Sequence, residues 1–204
     1  MKTQKPKIYY KLTNQDLTTY NGFKWKVGEW NKASGEGNLC GKGWFHFYHS
    51  KDLAILLNPI HADIKNPILW EAECRGKSFD DNGLKIGWTE ARIIKKIPLP
   101  RWTLIQKIAF GILCAKEVYY DKDWNNWADK WLSGENRKIK DAAAVAREIR
   151  AVRIVEWAAV AATKAVEWEM RTVEWAAEAV EWAAEKNKNT LDFNSIIKQA
   201  KKIK

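Results

Sequence analysis

At 204 residues, 46% of them hydrophobic, the chain can bury a real core as one ordinary domain with an appendage or as two small domains, which excludes a disordered chain. It holds no run of about 18 apolar residues, and Met1-Lys2-Thr3-Gln4-Lys5-Pro6 lacks the apolar stretch of a secretory signal, so no membrane span and a cytoplasmic location are expected. The net charge of +10 is spread as +6 over residues 1–100, +1 over 101–134 and +3 over 135–204, a dispersion that argues against nucleic acid as the main ligand.

Residues 7–100 read as short β segments separated by turn chemistry. Lys7 to Thr13 and Phe23 to Val27 are aromatic and alternate as half-buried strands do, with Asn21-Gly22 as the turn between them. A glycine-rich loop over 33–43 leads to a strand over Trp44 to His49. Lys51 to Leu57 predicts a short helix that Asn58-Pro59 stops. Strand character resumes over Ile68 to Arg75, Leu84 to Trp88 and Thr89 to Ile97, and Pro98 and Pro100 mark a boundary.

From Trp102 the period becomes helical. Leu104, Ile105, Ile108, Ile112 and Leu113 form one amphipathic helix with Gly111 as a local weakness. Trp124, Trp127 and Trp131 line a second, which Ser133-Gly134 stops. A third begins near Arg137 and meets neither Gly nor Pro before 186–189, predicting a rod of about 50 residues and about 75 Å. Leu191 to Lys204 predicts a short terminal helix.

The rod carries four Val-Glu-Trp triplets at Val155-Glu156-Trp157, Val166-Glu167-Trp168, Val173-Glu174-Trp175 and Val180-Glu181-Trp182. Tryptophan steps of 11, 7 and 7 residues are close to whole helical turns, so the indoles form one stripe. Alanine pairs widen the apolar arc to about 200°, more than a two-stranded seam needs. Either the helix folds back on its own chain or it assembles with other copies, and the length of an uninterrupted rod favours a homo-oligomer. Packing, rather than ligand binding, is the expected role of the stripe.

Candidate chemistry is sparse. His46 and His49, with Cys40 and Cys74, could be drawn as a zinc site, but on a strand the two histidines point to opposite faces and no C-x-x-C pair supports them, so no metal and no cofactor are expected. Glu71 and Glu73 share a strand face, as paired catalytic carboxylates do and as ordinary solvated residues also do. Three cysteines at wide spacing suit reduced thiols. No phosphate-cradling glycine loop, nucleophile elbow or H-E-x-x-H motif occurs.

Tyr10-Lys11-Leu12-Thr13, Gly22-Phe23-Lys24-Trp25-Lys26-Val27-Gly28 and Cys40-Gly41-Lys42-Gly43-Trp44-Phe45-His46 resemble, in this order, an uncharacterised β-rich N-terminal domain of phage and prophage proteins. Residues 127–137 and the alanine-rich, aromatic-punctuated helix after them are similar to the C-terminal arrays attached to that domain. The resemblance implies a viral or mobile-element origin and action by binding host machinery, including antiviral defence complexes. A fainter similarity, to ADP-ribosyltransferase-like folds, would make Tyr10, Tyr48 and Glu90 the pocket residues of a nucleotide binder or nucleotide-modifying enzyme; Lys11 stands where those families carry His or Arg.

Together these readings predict an α+β protein: a β-rich head over 1–100, two connecting helices over 101–134, and a long helix with a short terminal one over 135–204. The expected function is non-enzymatic binding and inhibition of a host component, with self-association through Trp157, Trp168, Trp175, Trp182, Val155, Val166, Val173 and Val180.

Overall fold

The computed structural model describes residues 7–142, 157–167, 172–187 and 191–204. The chain is α+β and divides into two compact units, Met1–Pro100 and Arg101–Lys204.

The first unit is built on one antiparallel sheet. Strand β1 (Lys7–Thr13) pairs with β4 (Ile68–Asp81), which forms a long hairpin with β5 (Lys85–Ile97); β2 (Asn31–Lys32) and β3 (Phe45–Phe47) both pair with β5. The three strand segments expected over 68–97 are thus two strands. Their turn is Asn82-Gly83, where φ values of 50° and 77° meet the left-handed requirement of a tight hairpin and Leu84 N donates to Asp81 O. One further pairing closes the arrangement: Tyr10 N donates to Tyr48 O (3.0 Å) and Tyr48 N to Tyr10 O (2.9 Å), so the chain just beyond β3 returns to β1. The order β1, β4, β5, β3 therefore comes back on itself as a small barrel whose last seam is a single residue pair.

Alternation decides what fills it. Tyr9, Trp70, Ala72, Cys74, Ala91 and Ile93 join Phe47, Ile86 and Trp88 in one aromatic-rich core. A register shift between Arg75 and Ser78 accompanies a change in strand parity, so that Trp88 and Ala91, an odd number apart, serve the same core. Phe23 to Val27 differs from expectation, touching its neighbours by one bridge, Thr18 to Lys24, rather than as a strand. Its aromatics still go inward. Trp25 is 1% exposed, packs against Phe23, Phe45 and Phe47, and donates from its indole to Thr19 Oγ1. Leu12 and Leu69, partners across β1 and β4, face the other way and are also buried. Helix α1 (Lys51–Leu56), capped by Ser50, packs against β1; α2 (Asn58–His61) follows at once, because a proline near a helix start sacrifices only an unused N–H.

The second unit is helical. Thr103 and Gln106 form a reciprocal capping box at the start of α3 (Leu104–Lys116), and α4 (Lys122–Ser133) runs from an Asp121 cap to Gly134 at φ 83°. Residues 139–142 are helical. Beyond them, α5 (Trp157–Glu167) and α6 (Thr172–Asn187) pack side by side on each other and on α3, and α7 (Phe193–Ala200) packs on α3 as well. The expected 75 Å rod is therefore corrected to a folded-back pair. Alanine makes this possible: Ala159, Ala161, Ala162, Ala165, Ala176, Ala177, Ala179, Ala183 and Ala184 are all buried. Gly111 is the point of closest approach, since a Cβ there would lie 2.8 Å from Ala176 O. Read from sequence as a weakness, this glycine is what lets two helix backbones meet.

Candidate functional site

The outer face of the β4–β5 hairpin gathers exposed Ile8, Lys32 and Arg75 with half-buried Trp30, Glu73, Glu90 and Arg92. Strand register fixes two rows on it. Ile8 lies opposite Glu73 and Glu73 opposite Arg92; Arg75 lies opposite Glu90 and Glu90 opposite Lys32. Adjacent rows alternate in charge, and each arginine is engaged across the hairpin. Arg92 donates from Nε (2.8 Å) and Nη2 (2.6 Å) to Glu73 Oε2, and Arg75 donates from Nε to Glu90 Oε2 at 2.8 Å, with Lys32 Nζ 3.8 Å from the other oxygen of Glu90. The half-buried ring of Trp30 lies against both guanidiniums, 4.0 Å from that of Arg75 and 4.9 Å from that of Arg92.

Isolated surface ion pairs contribute little, but a network with an aromatic lid restricts several rotamers at once. The face is therefore ordered in advance, and Ile8 leaves an apolar surface beside it, 48% exposed. Trp30 carried no periodicity that would single it out. Its signal lay only in residue type, an indole one position before a strand whose partner strand bears Glu90-x-Arg92 spacing.

The sequence-based candidates are placed as follows. Tyr10 and Tyr48 are neighbours across the barrel seam, but Tyr48 is buried and stacked on His61 (5.9 Å, 16°), and burial pushes its phenol well above the usual range. Glu90 is elsewhere: Tyr10 pairs with Glu71 and Glu71 with Lys95, five residues along β5 from Glu90, or about 16 Å of strand. The three do not share a pocket. His46 and His49 also part company. The His46 ring bonds the Leu39 carbonyl, which fixes Nε2 as the protonated nitrogen, and burial lowers its pKa to about 4, so it stays neutral. His49 Nε2 meets Asp80 Oδ2 at 2.6 Å beside the edge of Tyr9. Among the described residues no three His, Cys, Asp or Glu side chains converge as a metal site would require. Glu71 and Glu73 do share a face, with Glu73 committed to Arg92. Cys40 is exposed, while Cys74 and Cys114 are buried thiols whose pKa values burial raises.

Lys11 on β1, like Lys85 on β5, is a buried charge of the barrel. Its parity points it inward beside Trp70, and it donates from Nζ to His46 O at 2.7 Å, with the rings of Phe47 and Trp25 at 5.0 and 5.3 Å. Burial lowers its pKa to about 8.

In the helical unit Val166 and Val180 are buried, Val173 and Trp175 are half-buried, and Trp182 is 40% exposed. Lys164 Nζ lies 4.0 Å over the Trp175 ring. Val155, Trp168 and the Trp157 side chain lie outside the described residues. No helix among the described residues is long and apolar enough to cross a membrane.

No curated protein and no solved structure matches the chain. One family model does match, over almost the same span as the barrel: residues 7–105 are similar to DUF7666, a domain of unknown function.

Proposed function

We propose that this is a non-enzymatic binding protein whose barrel engages a protein partner through the outer β4–β5 face. The observation that carries the reading is Trp30 held against Arg75 and Arg92 while Glu73 and Glu90 hold those arginines in turn. Tryptophan and arginine dominate binding hot spots, and a face whose rotamers are already restricted loses less entropy on docking. The likeness of the 10–46 motifs to phage and prophage proteins makes a host component, including one of an antiviral defence complex, the class of partner. Self-association through the helical unit belongs to the same proposal, and the exposed indole of Trp182 on α6 supports it.

The test is affinity capture from bacterial lysate with the wild-type chain and with Trp30→Ala. A partner retained by the wild type and lost by the variant, at equal thermal stability, is the expected outcome. Equal retention by both would remove this face from the reading. The ADP-ribosyltransferase-like alternative has less support, because Tyr10, Tyr48 and Glu90 are spread over the barrel.

A further inference from the structure

The barrel is held unevenly. Strand β1 pairs with β4 through seven residues, Lys7 to Thr13, and β4 with β5 from Leu69 to Asp81, yet β1 meets the end of β3 only through Tyr10 and Tyr48. Two backbone hydrogen bonds close that seam, with one more from a side chain, Lys11 Nζ to His46 O. The residue that adds the third bond is also the one that opposes closure, because its ammonium has been taken out of water into an aromatic interior. Seam and buried charge are adjacent in sequence and in space.

We propose that the β1–β3 seam is a built-in opening of the barrel, with Lys11 as the group that sets how often it opens. Separating Tyr10 from Tyr48 breaks few bonds and returns the Lys11 ammonium to solvent, while β1 stays attached through β4. The titratable groups that face Lys11 are Cys74 on β4 and His46 on β3; burial keeps the first a neutral thiol, and burial, outweighing the opposite pull of the bond to Leu39 O, keeps the second a neutral imidazole. Neither offers the ammonium a counter-charge. The sign follows by linkage: the closed barrel holds the Lys11 pKa at about 8, below its ordinary 10.5, so protonation favours the open seam and opening declines as pH rises through that interval.

Hydrogen exchange at single-amide resolution on the full chain tests this. At neutral pH the amides of Tyr10 and Tyr48 are expected to exchange at least about tenfold faster, after correction for intrinsic rates, than the slowest amides of the β4–β5 hairpin. In Lys11→Met the gap should narrow several-fold. Exchange of the seam in step with the hairpin in the wild type would overturn the proposal, as would an unchanged or wider gap in the variant. Should the variant fail to fold, the wild type at pH 6 and pH 9 answers the same question. Corrected seam protection must rise with pH relative to the hairpin, and a flat or falling ratio overturns the proposal.

Discussion

Replacing Lys11 by Met should stabilise the barrel, although it removes a hydrogen bond. Lys11 falls from 10.5 to about 8 because its ammonium is buried. At roughly 1.4 kcal/mol per pKa unit, holding that charge inside costs about 3 kcal/mol at neutral pH, an order-of-magnitude figure. Methionine keeps the length and flexibility of the stem but forfeits the bond to His46 O, about 1 kcal/mol, and the attraction to Trp25 and Phe47, about 1 kcal/mol more. The expected net gain is about 1 kcal/mol. Because the folded pKa lies below the unfolded one, the penalty is fully present below pH 8. It is relieved between 8 and 10.5, where the unfolded chain binds more protons and stability climbs with pH. The assay is urea unfolding of the full chain at several pH values, read through exchange of the barrel amides so that the helical unit does not obscure the transition. The wild type should gain on the variant as pH rises from 8 to 10. A variant that is destabilised by more than about 2 kcal/mol at pH 7, or a difference that does not change with pH, would refute the reasoning.

Three further outcomes are expected. Gly111→Ala should destabilise the helical unit by about 1–3 kcal/mol despite the better helix propensity of alanine, since its Cβ would sit 2.8 Å from Ala176 O; thermal unfolding followed by helical circular dichroism checks it. Thr163→Val should cost a similar amount, about 1–3 kcal/mol, because Thr163 Oγ1 accepts from the buried Trp124 indole at 3.1 Å and donates to Ala159 O at 2.7 Å, and valine leaves the indole N–H without that acceptor. If the helical unit assembles copies of the chain, Trp182→Ala should lower the mass measured by light scattering coupled to size exclusion, whereas an unchanged mass would remove Trp182 from that role.

Local chemistry made the α+β class and some element boundaries legible in the amino-acid sequence alone. The Ser133-Gly134 stop acts within one turn of helix, so nearest neighbours suffice to place it; the Thr103–Gln106 capping box and the Asp121 cap, which the structure adds, act over the same short range. Alternation in Lys7 to Thr13 was likewise enough to make a strand. What tertiary structure decided were the relations between segments far apart in sequence. The triplet repeat predicts one long amphipathic rod, because periodicity records which residues share a face and not where the chain reverses. The two halves in fact pack on each other as α5 and α6, lined by buried alanines, while Gly111 brings α3 against Ala176 of the second half. The Trp30 face depends on register across β1, β4, β5 and β2; Glu90, in sequence a candidate pocket residue by similarity alone, stands opposite Arg75 and Lys32 instead. Nothing in the sequence marks Lys11 as buried; only closure of the sheet on itself put its ammonium among Trp25 and Phe47, because desolvation is a property of the assembled surroundings and not of the residue.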